Sequence, residues 1–248
     1  MIILKSEREI AFMREAGKIV ALAIAEVTRA VRPGISTGEL NALVENLMAK
    51  QGARPAFKGY HGYPASICTS INEEIVHGIP GLKVLKEGDI ISIDIGAEIN
   101  GYFADAAVTL AVGDIDPVSR RLLETTAQCL EAGIRQCTRD KRLSDISHAI
   151  QSVAESNGYS VVREYVGHGI GRAMHEDPQV PNFGKPGRGI KLSPGLVLAI
   201  EPMVNVGRFD TAVLDDNWTV VTKDGSRSAH FEHTVAITER GPEILTRC

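Results

Sequence analysis

The sequence predicts an α+β fold in which two related halves surround one site. A helix–helix–strands order occurs twice along the chain, and acidic residues interrupt apolar strand patterns in both repeats. Helices segregated from antiparallel strands are typical of α+β folds. We place the halves at approximately 1–113 and 114–248 of a single domain, because no Pro/Gly/Ser-rich linker separates them. A chance succession of helix pairs and strands is the alternative.

The helices of the first repeat have clear start and stop signals. Ser6 and Glu9 form a capping box before a long helical pattern, and Pro33-Gly34 ends it. Thr37 is positioned to cap a second helix, which runs to about Lys50. A glycine- and tyrosine-rich loop then precedes strand patterns that extend to about residue 112.

The second repeat follows the same order. Pro117 opens a helix toward Cys137, and Ser144 or Asp145 starts another that ends near Asn157. Apolar and β-branched runs after these helices predict further strands. These strands are expected at Tyr159–Val166, Leu196–Ile200, Thr219–Thr222 and Phe231–Thr238.

The composition indicates a globular protein without a membrane span. Of the 248 residues, 44% are hydrophobic and 23% charged, and the net charge of -4 argues against general nucleic-acid affinity. The four cysteines form no CxxC pair, which argues against a structural zinc site. No run approaches the ~20 apolar residues of a membrane span. The N-terminus becomes charged after four residues, unlike a signal or transit peptide, so we expect a cytoplasmic location.

Two aspartates fall on one predicted hairpin. Asn100-Gly101 is a favoured two-residue turn, and centring the hairpin there places Asp94 opposite Ala107. Asp105 is then a diagonal neighbour of Asp94 on the same face, roughly 7–8 Å away at the backbone. Two carboxylates on one apolar face suggest a cation between them. A single solvent-exposed aspartate on an edge strand is the alternative.

Three residues of the second half also place a polar side chain in or beside an apolar strand or a glycine-rich turn. His168 lies between two glycines, which let the backbone approach closely and leave the imidazole free. Glu201 ends an apolar strand, and Glu232 is the second residue of the last strand pattern. The alternative for His168 is a hydrogen-bonded core histidine. For Glu201 it is an exposed acid at a strand end, and for Glu232 it is a solvent-facing glutamate.

Charge balance favours a metal site. Four acids carry about four negative charges, which two divalent cations would neutralise and so allow the cluster to be buried. Oxygen-rich ligation with one imidazole suits Mn(II), Fe(II), Co(II) or Zn(II), and the ligand types do not choose among them.

The chain resembles type I methionine aminopeptidases over nearly all of its length. The resemblance rests on short motifs that occur in the family's order and without large insertions. These are Gly59-Tyr60-His61-Gly62-Tyr63-Pro64, Ser70-Ile71-Asn72-Glu73, His77-Gly78-Ile79-Pro80, residues 94–105, Gly167-His168-Gly169-Ile170-Gly171, His175-Glu176, Glu201-Pro202-Met203 and Glu232-His233-Thr234.

The resemblance implies a pita-bread fold, with two pseudo-symmetric halves around a dinuclear metal site. It implies that Asp105 and Glu232 bridge the ions, that Asp94 completes one shell, and that His168 and Glu201 complete the other. Enzymes of this family remove the initiator methionine from new polypeptides with metal-activated water, favouring small second residues. The resemblance makes Glu201 the proton shuttle.

Further side chains acquire roles only through the resemblance. His175 is similar to the histidine that stabilises the oxyanion, and His77 to one that contacts the scissile amide. Asn72 and Ser228 correspond to positions that bind a monovalent cation. Phe57 stands where some relatives carry cysteine, and Met174 where some carry an aromatic residue; without the resemblance, core packing would explain them as well. The implied methionine pocket contains Phe57, Tyr60, Tyr63, Cys68, Met174 and Trp218, besides contacts from His77 and His175.

The resemblance also implies the partners. These are nascent polypeptide N-termini, with a transient ribosome contact left open, no specific nucleic acid, no membrane and a monomeric state. Two other functions stay open at this point. One is a proline-directed peptidase of the same fold, such as prolidase or aminopeptidase P, and the other is a non-catalytic binding protein on this scaffold.

Overall fold

The structure is a computed structural model that describes residues 2–247, so Cys248 lies outside the described residues. Within this range the chain forms a mixed α+β arrangement whose paired strands are antiparallel. The helices are α1 (Glu7–Ala30), α2 (Thr37–Lys50), α3 (Pro117–Ile134) and α4 (Leu143–Ser156). The strands are β1 (Arg54–Pro55), β2 (Ile67–Ile71), β3 (Glu74–Val76), β4 (Ile90–Ile99), β5 (Tyr102–Ala111), β6 (Ser160–Val161), β7 (Gly167–Gly169), β8 (Glu176–Val180), β9 (Val197–Ile200), β10 (Met203–Asn205), β11 (Thr211–Val213), β12 (Val220–Thr222), β13 (Ser228–His230), β14 (His233–Thr238) and β15 (Gly241–Ile244).

The capping box of α1 is confirmed, whereas the predicted cap of α2 is wrong by one residue. Ser6 accepts the Glu9 N–H, and the Glu9 carboxylate accepts the Ser6 N–H at 2.9 Å. In α2 the capping residue is Ser36 rather than Thr37. The Thr37 hydroxyl is already engaged, because it accepts the Gly81 N–H at 2.9 Å.

Of the two helices of the second repeat, α3 begins at the predicted residue and α4 begins slightly before it. Asp116 caps α3 by accepting the N–H groups of Val118 and Ser119, so Pro117 takes the first helical position as predicted. Leu143 begins α4, where we predicted Ser144 or Asp145. The capping residues of α3 and α4 lie in the loops that precede these helices. Hydrophobic periodicity does not locate such loop residues.

The hairpin register is confirmed. Asn100 and Gly101 have φ values of 56° and 77°, the left-handed conformations that a two-residue hairpin turn requires. Asp94 pairs with Ala107, and Asp105 pairs with Gly96, so the aspartates are offset by two residues on one face.

The strand predicted at Tyr159–Val166 is much shorter in the structure. Only β6 pairs with β10, and the Val162 N–H then donates to the Met203 carbonyl at 3.0 Å. Beyond it the Arg163 guanidinium lies over the Phe209 ring, 3.9 Å from its centroid. Side-chain packing outside the sheet therefore replaces strand pairing here.

Helix packing covers the strands that carry the acids. The helices α1 and α2 share one apolar cluster with β4 and β5, and α3 and α4 share another with β9 and β14. A third cluster contains residues of α1, of β14 and of the loop that precedes β2. This cluster borders the cavity described below. The boundaries of the two halves stay a prediction. No helix within residues 2–247 is long and apolar enough to cross a membrane.

Candidate metal centre and active site

One cavity of about 390 Å³ gathers the predicted site. All thirteen residues predicted as metal ligands, catalytic groups or pocket residues line it, and His61 lines it in addition. The lining residues are Phe57, Tyr60, His61, Tyr63, Cys68, His77, Asp94, Asp105, His168, Met174, His175, Glu201, Trp218 and Glu232.

The glutamates are positioned by a break in one long ladder. On one side of the break Ile200 pairs with His233, and on the other Met203 pairs with His230. Continuing either register through the break places Glu201 opposite Glu232, on one face of the sheet. At this point the Glu232 N–H leaves the ladder and donates to the Ala107 carbonyl at 2.9 Å.

This departure joins the two pairs of acids. Ala107 is the partner of Asp94 in the β4–β5 hairpin, so the hydrogen bond draws Glu232 toward the aspartates. Asp105 is held from the other side, because the Thr234 hydroxyl lies 2.9 Å from its Oδ1 and accepts its N–H at 3.0 Å. Asp105 and Glu232 are each 2% exposed, which rules out the solvent-facing alternative for Glu232.

His168 approaches the same cluster with one nitrogen. Its Nδ1 lies 2.9 Å from the Gly169 carbonyl, while its Nε2 lies 3.4 Å from Asp105 Oδ2 and 3.6 Å from Glu201 Oε1. The flanking glycines are needed at this close approach, because a Cβ on Gly167 would lie 2.4 Å from the Ala199 carbonyl oxygen.

The buried negative charge of the acid cluster favours a bound cation. Burial, followed by repulsion from Asp105 and Glu201, raises the pKa values of the Asp94 and Glu232 carboxyls well above their usual range. Burial disfavours the imidazolium of His168, but the Asp105 and Glu201 carboxylates outweigh it and raise its pKa to about 9.

The donor set fits a divalent metal. Asp94 Oδ1 is buried and has no hydrogen-bond partner within the described part of the chain. Ligand atoms of Asp105, His168 and Glu232 all lie within 4.8 Å of one another. Carboxylate oxygens with one imidazole nitrogen are suitable ligands for first-row divalent ions. The residues present therefore match the chemistry of a bound metal.

Two further imidazoles, His77 and His175, line the cavity. Burial of the ring and the neighbouring His168 lower the pKa of His175 to about 4, and burial followed by His230 lowers that of His77 to about 4. Both rings are therefore neutral near pH 7. The Tyr60 hydroxyl lies 2.8 Å from His175 Nδ1, and so holds one side of that ring.

Apolar and soft side chains form the rest of the cavity wall. Phe57 packs against Gly96, where a Cβ would lie 2.7 Å from the Phe57 ring. The Tyr63 ring contacts Trp218 edge-on at 5.0 Å between centroids. Cys68 and Met174 are 5% and 2% exposed. A polarisable apolar wall next to the acids suits a thioether side chain.

Asn72 and Ser228, predicted to bind a monovalent cation, lie outside the residues that line the cavity. They do contact each other, since the Ser228 N–H donates to the Asn72 carbonyl at 2.9 Å. That site stays a prediction.

The sequence interpretation missed two histidines, one that lines the cavity and one that lies next to Glu201. His61 lines the cavity with φ of 49°. His230 is 2% exposed, and its Nε2 lies 3.6 Å from Glu201 Oε2. The pairing of Met203 with His230 is the signal that locates it, because Glu201 lies two residues before Met203.

The chain is similar to known peptidases over its full length. A model described as metallopeptidase family M24 matches residues 11–239. Methionine aminopeptidase 1 of Bacillus subtilis is 58% identical over 247 residues, with 100% of both chains covered. The crystal structure of methionine aminopeptidase from Thermotoga maritima superposes with a TM-score of 0.99 at 50% identity, covering 100% of both chains.

Proline-directed relatives are more distant. The prolidase from Pyrococcus furiosus superposes with a TM-score of 0.80 at 25% identity. It is matched over 99% of this chain but only 66% of its own. The shared region therefore corresponds to part of the prolidase and to the whole of the methionine aminopeptidases compared above.

Proposed function

The chain belongs to metallopeptidase family M24, and we propose that it is a metal-dependent methionine aminopeptidase that removes the initiator methionine from new polypeptides. The predicted pita-bread fold is confirmed by the match to this family and to its solved structures. Enzymatic activity, rather than a binding role, follows from the full-length similarity to aminopeptidases.

One observation carries the proposal most strongly: the buried acid cluster opens into a soft, apolar cavity. The acids supply the ligands for divalent metal, and the cavity of about 390 Å³ supplies space for one side chain beside them. We propose that Asp94, Asp105, His168, Glu201 and Glu232 would hold two divalent ions, which would supply Lewis-acid chemistry next to the cavity. Mn(II), Fe(II), Co(II) and Zn(II) all suit these donors.

Metal bound by these residues supplies Lewis-acid activation of the scissile carbonyl and of the attacking water. Glu201 accepts a proton from that water and delivers it to the departing amine, in keeping with its position at the edge of the cluster. Its side chain is 13% exposed, and so is more accessible than that of Asp105, at 2%.

The neutral histidines bind the substrate backbone. The Tyr60 hydroxyl lies 2.8 Å from His175 Nδ1. We assign the hydroxyl as the donor of this hydrogen bond, which leaves the His175 proton on Nε2, where it is donated toward the developing oxyanion. His77 lines the cavity in a left-handed backbone conformation, with φ of 62°, and orients the scissile amide.

The wall formed by Phe57, Tyr60, Tyr63, Cys68, Met174 and Trp218 selects methionine at the first position. The family resemblance supports a preference for small second residues. We further propose that the enzyme is a cytoplasmic monomer that acts on nascent chains, with only transient contact to the ribosome.

A matched peptide series tests this function. Met-Ala-Ser should be cleaved well, Leu-Ala-Ser poorly because it lacks the thioether, and Met-Leu-Ser poorly because of its large second residue. Released amino acid is quantified by chromatography with Mn²⁺ present. Equal cleavage of the Met and Leu peptides would contradict the methionine pocket, while cleavage of Xaa-Pro peptides alone would make the enzyme proline-directed.

A further inference from the structure

His230 is a buried imidazole for which the mechanism above has no use. It ends β13, is 2% exposed, and its Nε2 has no hydrogen-bond partner within residues 2–247. Buried polar side chains in folded proteins nearly always have a partner. We therefore expect one of the groups that face this nitrogen to accept a hydrogen bond from it.

The register of the ladder directs His230 toward Glu201. His230 pairs with Met203, and Glu201 lies two residues before Met203, so His230 and Glu201 are diagonal neighbours of the ladder. Diagonal neighbours are within reach of long side chains. His230 Nε2 accordingly lies 3.6 Å from Glu201 Oε2, slightly beyond hydrogen-bonding distance.

The backbone of His230 is fixed independently of its side chain. The Thr109 hydroxyl donates to the His230 carbonyl at 2.8 Å and accepts the His230 N–H at 2.8 Å. This hydroxyl also lies 2.8 Å from Ser92 Oγ. A side chain of β5, on the hairpin of the two aspartates, thus sets where His230 stands relative to Glu201.

The Glu201 carboxylate lies between the imidazoles of His168 and His230, which differ in their access to a metal. His168 Nε2 lies 3.6 Å from Oε1 and is available to a metal, because its Nδ1 already contacts the Gly169 carbonyl. His230 faces Oε2 and, unlike the five proposed ligands, is not among the residues that line the cavity. Carboxylates that bind metal are themselves held by hydrogen bonds from surrounding residues.

We propose that His230 is a positioning residue, whose Nε2–H donates to Glu201 Oε2 and holds Glu201 in the orientation that binds metal and handles the proton. This inference rests on the proposed metal centre. It adds a residue that touches neither substrate nor metal and acts through Glu201 alone.

The test compares His230→Leu, which removes the donor, with His230→Gln, which retains an N–H donor. Mn²⁺ is titrated into the metal-free protein by calorimetry, and folding is checked by thermal unfolding in chelator. His230→Leu should weaken Mn²⁺ binding by about 10- to 100-fold, and His230→Gln should restore most of it. With saturating Mn²⁺, the Leu variant should show a lower kcat for Met-Ala-Ser at an unchanged KM.

A second pair reaches His230 without altering its side chain, in case His230→Leu fails to fold. Thr109→Val removes both backbone hydrogen bonds and should weaken Mn²⁺ binding, whereas Thr109→Ser retains the hydroxyl and should not. Unchanged Mn²⁺ affinity in His230→Leu, or an equal loss in His230→Gln, would overturn the inference alone. Absence of Mn²⁺ binding by the unmodified protein would overturn the proposed function with it.

Discussion

Replacing Asp94 with asparagine should have opposite effects on stability with and without metal. The metal-free protein holds this carboxyl near two other acids, and its buried Oδ1 has no partner within the described residues. Asparagine has nearly the same shape, removes the charge and offers N–H donors to the carboxylates of Asp105 and Glu201. A buried group left without a partner costs about 1–3 kcal/mol, so Asp94→Asn should stabilise the metal-free protein by a similar amount.

For a chain of this size the gain corresponds to a rise in Tm of roughly 2–12 °C. The unmodified protein gains about 4.1 kcal/mol when metal is present at about one thousand times its Kd, which exceeds the gain expected for the variant. Asp94→Asn removes a ligand and should lose most of that gain. In chelator, Asp94→Asn should therefore have a higher melting temperature than the unmodified protein. In saturating Mn²⁺ it should have a lower one.

The stabilisation in chelator should also depend on pH. Because the pKa of the folded-state Asp94 carboxyl is raised, its contribution to stability is fully present below the unfolded value of about 3.9 and is lost as the pH rises through the folded value. The advantage of Asp94→Asn should be small near pH 3.5 and grow toward pH 8.

Urea denaturation in chelator and in Mn²⁺ measures these differences. The exposed Asp114 provides a matched control, and Asp114→Asn should change the free energy of unfolding by no more than about 0.5 kcal/mol in either condition. A destabilised metal-free Asp94→Asn variant would show that the Asp94 carboxyl does not cost stability without metal, and full protection of the variant by Mn²⁺ would show that Asp94 is not a ligand.

Three other substitutions test separate parts of the account. Glu201→Gln should lower kcat at least ~100-fold in metal-loaded enzyme by removing the proton acceptor; near-normal turnover would contradict the shuttle role. Tyr60→Phe should lower kcat by about tenfold with little change in KM, because His175 loses the hydroxyl at 2.8 Å that orients it; a pure KM effect would place Tyr60 in the methionine pocket alone. Lys5→Met should destabilise the protein by ~3–5 kcal/mol in urea, because it leaves the carboxylate of Glu176 without its buried cation; a loss below 1 kcal/mol would show that solvent replaces the pair.

Local sequence signals were sufficient for part of the site. Asn100-Gly101 fixes the hairpin turn, and the alternation of side chains then fixes the relation of Asp94 to Asp105. The glycines beside His168 were correctly interpreted as sites of close backbone approach. These features depend on neighbours within one hairpin or one turn, which is why the sequence alone reveals them.

Other features depend on contacts between distant segments. The burial of Glu232 was undecidable from its strand, because it follows from the hydrogen bond to the Ala107 carbonyl in the other repeat. His230 was overlooked for the same reason, since only the pairing with Met203 brings it to Glu201. The pocket residues came from the family resemblance, because apolar side chains in a cavity and in a core have the same sequence pattern.

The most direct test of the central claim is metal-dependent release of methionine from Met-Ala-Ser. Metal-stripped enzyme is titrated with Mn²⁺, Fe²⁺ or Co²⁺ under anaerobic conditions, and bound metal and released methionine are measured in the same samples. We expect no release without metal, release that increases with bound metal, and no cleavage of Ala-Pro. Full activity in the stripped enzyme, or release of alanine from Ala-Pro with none of methionine, would contradict the proposed function.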